Sequence, residues 1–264
     1  MGAMDPEVNV SRPVSARVWN YWLGGKDHYA VDRRAGDEVA RHVPGIAAAA
    51  RADRQFLGRV MAPLVHEGGI RQFLDVGTGL PTADNTHEMA QRLAPDARIV
   101  YVDNDPLVLS HARALLTSTP EGATSYVDAD ARDPEKILEA AAATLDLDRP
   151  VALMLLAILH LFTDDAEAAR IVGTLVDALP SGSYLVLTHA CLDVDATRTA
   201  MRVWNGSGTP HPIRARGADR ITGYFDGLDL LEPGVVSCSR WRPLPNRWGL
   251  PDEVMTFGGV ARKP

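Results

Sequence analysis

The chain has 264 residues, 46% of them hydrophobic and 23% charged, with a formal net charge of −7. That length and apolar content exclude global disorder and allow one large core domain with appendages. The acidity is concentrated in residues 70–180, which carry eight Lys/Arg against eighteen Asp/Glu, and no stretch is basic enough for a nucleic-acid footprint.

Residues 12–67 read as helical throughout: an amphipathic helix over 14–23, a second over 32–43, and a long third from Pro44 to about Glu67, before Gly68-Gly69. From Arg71 short apolar runs alternate with helical ones. Strands are expected at 72–76, 98–102, 124–127, 151–157 and 184–188, with helices at 83–93, 107–116, 134–145 and 164–179, the last capped by Thr163 or Asp164. Strand–helix alternation with continuously apolar strands predicts a parallel sheet covered on both faces. After His189 come a helix over about 193–203, a Gly/Pro-rich loop at 205–216 and a short helix reaching Phe225. Two last strand candidates, 234–239 and 255–261, flank a loop with Pro243, Pro245 and Trp248 and suit an antiparallel edge.

The longest apolar run, 151–162, is broken by His160 and falls short of the ~18 residues of a membrane span. The N-terminus lacks the apolar stretch of a secretory leader. Two cysteines, Cys191 and Cys238, make neither a thiolate zinc cage nor a disulfide framework, so the cytoplasm is the expected compartment.

Chemistry concentrates where strands end. The first runs Phe73-Leu74-Asp75-Val76 into Gly77-Thr78-Gly79, an acid followed by glycines that let backbone approach a ligand. The second ends at Asp103-Asn104, where a ribose needs an acceptor, and the third is followed by Asp130-Ala131. Two readings stand for these acids: caps of the following helices, the preferred reading for Asp133, or a ligand rim. A nicotinamide dinucleotide wants Gly-x-Gly-x-x-Gly, but Thr82 occupies the third glycine position and Asp75 would repel pyrophosphate. A carboxylate there attracts an ammonium group, which favours a nucleoside with an amino-acid tail, S-adenosylmethionine.

With these motifs the chain resembles a class I S-adenosylmethionine-dependent methyltransferase, Asp75–Gly79 matching its first motif. The segment Ile158-Leu159-His160 and the run from Phe225 to Val235 are similar to later motifs of small-molecule methyltransferases. More narrowly, Ala16-Arg17-Val18-Trp19, Leu23-Gly24-Gly25-Lys26-Asp27, Asp32-Arg33 and Gly77–Thr82 resemble a bacterial family once classed as a domain of unknown function and now as S-adenosyl methyltransferases. The resemblance runs from about Arg12 to Arg262. It implies a Rossmann-like, mostly parallel seven-stranded α/β sheet ordered 3-2-1-4-5-7-6, occupying residues 70–264 behind a helical cap or lid at 1–69.

The resemblance also implies roles. Asp75 and the Ala157 carbonyl face the methionine ammonium, Gly77, Thr78 and Gly79 lie along the methionine portion, Asp103 accepts the ribose hydroxyls, Asn104 stacks beside the adenine, and Asp130 and Ala131 bond its edge. The expected reaction is O- or N-methylation of a small molecule, with no nucleic-acid or membrane partner. A non-catalytic nucleoside-binding module and, more remotely, a nicotinamide oxidoreductase are the alternatives. Methyl transfer asks for alignment and sometimes a base. His160 is the candidate base, against a role in holding a helix start, and His189 is a candidate substrate contact with the same alternative. Trp19, Tyr21, Trp22 and Tyr29 cluster beside Gly24-Gly25. They form either a packing helix or a lid, in which Tyr21, Trp22, Gly25 and Tyr29 approach the ligand.

Overall fold

The computed structural model describes residues 9–81, 84–115, 117–245 and 249–264; expectations touching Thr82, Ala83, Leu116 and Trp248 lie outside them. Strands β1 (Gln72–Val76), β2 (Arg98–Asp103), β3 (Ala123–Asp128), β4 (Ala152–Leu156) and β5 (Tyr184–Ala190) are parallel, and β8 (Thr256–Arg262) runs antiparallel to β5. The order is β3-β2-β1-β4-β5-β8-β6. The edge differs from a single sixth strand: β6 (Asp229–Leu230) and β7 (Val236–Ser237) each pair with β8, giving eight strands. Pro233 and Gly234, at φ +85°, lie between them and interrupt the extended run expected over 234–239.

Helices α1 (Ser15–Trp22), α2 (Ala30–His42) and α3 (Ile46–Ala62) form the N-terminal layer, and α3 continues through a π turn at Pro63–Glu67. The crossovers are α4 (Thr86–Leu93), α5 (Pro106–Leu115), α6 (Pro134–Ala141) and α7 (Asp165–Asp177), followed by α8 (Asp195–Asn205) and α9 (Ala218–Thr222). Asp164 caps α7, its carboxylate accepting the Glu167 N–H at 2.8 Å. α4 starts at Thr86 because Asn85 and Glu88 form a reciprocal capping box.

Strand alternation builds two cores. Leu74, Val100 and Leu153 meet α6 and α7 through Ile137, Ile171 and Leu175. Phe73, Ile99 and Met154 point the other way, onto Phe56, Leu57 and Val60 of α3 and Met89 of α4. The first turns of α3 join a third cluster, where Ile46 and Ala49 pack with Val18, Val39, Ala200 and Trp204. α3 therefore belongs to both the cap and the sheet, and the cap is seated on the carboxyl ends of β1 and β4 through it.

Candidate active site

A cavity of about 440 Å³ opens at those carboxyl ends, between the loops after β1, β2 and β4 and the helices α1 and α3. Asp75 is buried at the end of β1, where its Oδ2 accepts the Thr86 hydroxyl at 2.6 Å. Burial pushes its carboxyl up to about 6, against the pull of Thr86 and of Arg54. Gly77 and Gly79 then turn the chain at φ +77° and +68°. The N–H groups of Gly77 and Thr78 donate to the Val102 carbonyl, and that of Gly79 donates to Asp103 Oδ2 at 2.8 Å. Asp103 Oδ1 accepts the Asn104 and Asp105 N–H groups at 2.9 and 3.0 Å. Burial raises its pKa despite these three donors. Oδ1 is filled by its two donors, and Oδ2 keeps an acceptor site.

Asn104 reaches the third acid, its Nδ2 donating to Asp130 Oδ2 at 3.1 Å. Asn104, Asp105 and Pro106 line the cavity. Asp130 and Ala131, expected on the adenine edge, stand behind Asn104 and off the wall, where Asp130 also receives the backbone and guanidinium of Arg132. On the other side Ala157 lines the cavity at φ +52°, held by its N–H to Thr188 Oγ1 at 2.8 Å. A non-glycine residue in that region stores about 1–2 kcal/mol of strain, concentrated here at the ligand rim.

The cap contributes by helical period. Ala16, Trp19, Asn20 and Leu23, spaced i, i+3, i+4 and i+7, face the cavity. Tyr21 and Tyr29, expected to approach the ligand, do not line it: Tyr21 lies on another face and its hydroxyl donates to Asp37 Oδ1 at 2.6 Å. The Tyr29 ring lies under the Arg17 guanidinium, 5.4 Å away. Trp22 donates to the Gly36 carbonyl at 3.3 Å and borders a smaller neighbouring cavity instead. Gly25 acts on the wall indirectly. A Cβ there would come 2.5 Å from Asn20 Cγ, and Asn20 is the buried wall residue that accepts the Asp27 N–H at 3.0 Å.

Residues that the sequence did not single out complete the site. Asp53 and Arg54 of α3 line the cavity, with Leu57 on the same helical face. Burial pushes Asp53 up to about 6. Their spacing on a buried helix face was the available signal, hidden by an alanine-rich helix that reads as scaffold. Pro210 and His211, from the loop after α8, also line the cavity.

His160, after β4, borders both cavities. Its Nδ1 is buried and has no hydrogen-bond partner among the described residues. Burial, aided by the Arg216 charge, pushes it down to about 4, so it is neutral near pH 7. His189, the expected substrate contact, lines neither cavity. It stands behind His160, with ring centres 5.7 Å apart, and both its nitrogens are engaged. Arg216 Nη1 donates to Nε2 at 2.9 Å, which leaves the proton on Nδ1 for the Ala190 carbonyl. Arg216 is buried, paired with Asp165 at 2.9 Å, and also donates to the carbonyls of Leu159 and Phe162, fixing the loop that carries His160.

A mostly parallel sheet in this order, with an acid and Gly-x-Gly at the end of β1 and a second acid at the end of β2, defines a class I methyltransferase. The chain belongs to the S-adenosyl methyltransferase family, whose profile it matches over residues 1–264. It is similar to a DUF574-family protein from Streptomyces avermitilis, at 43% identity and TM-score 0.92 over 98% of this chain and 100% of that one. A protein from Thermobifida fusca, provisionally called a methyltransferase, follows at 40% identity and TM-score 0.89, over 98% and 97%. An O-methyltransferase family 2 protein from Planctomyces limnophilus shares the fold alone, at 18% identity and TM-score 0.51 over 89% and 65%. No protein of curated function matches the chain. Family membership makes S-adenosylmethionine the cofactor and leaves the nicotinamide alternative without support. The donor set fits it: two buried acids on the cavity wall, a cation near Asp75, and a turn kept open by glycine. Among the described residues no helix is long and apolar enough to cross a membrane.

Proposed function

We propose that the protein methylates a small molecule on oxygen or nitrogen, in the cytoplasm, where its two cysteines stay free and buried. One observation carries the cofactor's placement. Asp75, Arg54, Asp103 and Asn104 line one cavity, with Arg54 and Asp103 both near enough to act on the Asp75 carboxyl, a set that suits a zwitterionic amino acid joined to a nucleoside. Arg54 takes the carboxylate of the methionine portion, and Asp75 with the Ala157 carbonyl takes its ammonium. Gly77, Thr78 and Gly79 admit its chain, Asp103 accepts the ribose hydroxyls, and Asn104, backed by Asp130, flanks the adenine.

When bound, the cofactor supplies an electrophilic methyl group on a sulfonium whose leaving group is a neutral thioether. The chain's own work is alignment and exclusion of water by α1 and the 205–216 loop. His160 is the acceptor's contact: its ring, kept neutral by burial and the Arg216 charge, orients the acceptor by a hydrogen bond, while His189 and Arg216 hold it in place.

Calorimetry tests the cofactor, with S-adenosylmethionine and S-adenosylhomocysteine expected to bind in the micromolar range and NAD not at all. The acceptor class is tested with methyl-tritiated cofactor and a cell extract divided by size. Label in the low-molecular-weight fraction supports the reading, and label only in protein or nucleic acid overturns it.

A further inference from the structure

Beside the cofactor cavity lies a second one of about 70 Å³, and the two share Ser15, Trp19 and His160. Its remaining wall is apolar, built largely by Val18, Trp22, Val39, Trp204, Ile213 and Met255. Among the described residues no Asp, Glu, Lys or Arg borders it. Close-packed interiors seldom leave such space, which amounts to roughly two waters' worth.

Polar side chains are few on that wall: Ser15, His160, Thr197 and Thr256. The Thr197 hydroxyl and His160 Nδ1 are closed off from the space and have no hydrogen-bond partner among the described residues. An entering molecule therefore meets an uncharged, mostly apolar surface, with the His160 ring at the junction with the larger cavity.

We infer that this side cavity is the acceptor's subsite, and that the acceptor is an uncharged hydroxyl compound whose hydrocarbon body enters among Trp19, Trp22 and Trp204 with its hydroxyl at His160. The inference rests on the methyltransferase reading of the larger cavity, and it selects oxygen over an alkyl amine. An ammonium group would enter a space with no carboxylate on its wall, beside an imidazole that is itself neutral and backed by the Arg216 cation. A charge desolvated without a partner is strongly disfavoured. A hydroxyl brings no charge and can donate to the neutral His160 ring at the junction of the two cavities. Size limits the buried part: an apolar cavity of about 150 Å³ holds benzene, so this one takes a short branched chain or the edge of one ring.

The test uses the full chain saturated with S-adenosylhomocysteine, titrated with 3-methylbutan-1-ol and with 3-methylbutan-1-amine at pH 7.5. Tryptophan fluorescence reads the binding, since three tryptophans line the cavity. The alcohol should bind saturably and at least tenfold more tightly than the amine. Ala200→Leu and Ala49→Leu, from two different helices, fill the space. Each should weaken alcohol binding at least tenfold while leaving S-adenosylhomocysteine affinity within twofold and the melting temperature unchanged or raised. Equal binding of the amine, alcohol binding indifferent to both substitutions, or no saturable response would make the cavity a packing gap and overturn the inference. Failure of the unaltered protein to bind S-adenosylhomocysteine would instead overturn the methyltransferase reading beneath it.

Discussion

A Cβ on Gly77 would stand 2.7 Å from Cγ1 of Ile158 and closer still to its Cδ1. The loops after β1 and β4 are thus fitted together with no room for a methyl group. At Gly79 nothing lies within 4 Å of the same construction, although both glycines have positive φ. Gly79→Ala should therefore cost only the left-handed conformation, about 1–2 kcal/mol. Gly77→Ala adds overpacking, a further 1–3 kcal/mol or so. Urea denaturation of the two variants checks this, and equal losses would mean that Ile158 yields freely.

Much of this was legible because it is local. β1 spans the expected residues, since a short apolar run ending in an acid and a glycine has few other folds open to it, and the same holds for the strands ending near Asp103 and Asp128. Less legible is what faces and distant packing decide. Tyr21 and Tyr29 stand in the same aromatic cluster, whereas the 3.6-residue period of α1 turns Trp19, Asn20 and Leu23 to the cavity. Asp53 and Arg54 reach the cavity only because α3 crosses the end of the sheet, and His211 arrives on a loop after α8. No short-range pattern encodes either. The side cavity forms where α1, α2 and α3 meet α8 and the segments carrying His160, Ile213 and Met255, which lie about 100 or more residues further along the sequence.

Asp103→Ala should weaken S-adenosylhomocysteine binding by at least ~2 kcal/mol, roughly thirtyfold, since a hydrogen bond to a charged group contributes about 1.5–3 kcal/mol. The carboxylate also anchors the Gly79 N–H, so some loss reflects a looser turn. Asp103→Asn separates the two effects, keeping an acceptor for that N–H without the charge, and should fall between. Calorimetry showing parental affinity in a folded Asp103→Ala protein would reduce the residue to a cap of the β2–α5 loop.

Binding should also depend on pH through Asp75. Its folded pKa is raised from 3.8 to about 6 by burial. In the ligand-free protein the native state therefore binds more protons than the unfolded one, and stability is lost as pH rises between about 4 and 6. Asp75→Asn removes that penalty and should stabilise the ligand-free protein at pH 7.5 by an amount of order 2 kcal/mol, with little effect near pH 4. Cofactor binding runs the other way, because the ammonium needs the ionised carboxylate. Affinity should fall up to tenfold per pH unit below about 6, a window that Asp53 shares. Calorimetry between pH 5 and 8 decides it: the slope should be shallower in Asp75→Asn, and an unchanged slope would assign the dependence to Asp53 alone.

The last prediction concerns how the cap is fastened. Asp27, just beyond α1, pairs with His111 of α5 at 3.1 Å, and its N–H is held by Asn20 on the cavity wall. One residue thus joins the cap to the helix that starts with Pro106, itself on the cavity wall. The pair is half-exposed, at 26% for His111 and 39% for Asp27, so its strength is about 0.2–1 kcal/mol. That is enough to alter a release rate by up to about fivefold. Asp27→Asn should raise the dissociation rate of S-adenosylhomocysteine by that factor in stopped-flow fluorescence, with Trp19 as reporter. His111→Gln should do the same, and the double variant no more than either alone. Bound S-adenosylhomocysteine should slow tryptic cleavage after Lys26 in the parent and less so in Asp27→Asn. Release rates and cleavage indifferent to both substitutions would leave the bridge a surface ion pair, with the cap held by the packing of Val18 and Trp19 alone.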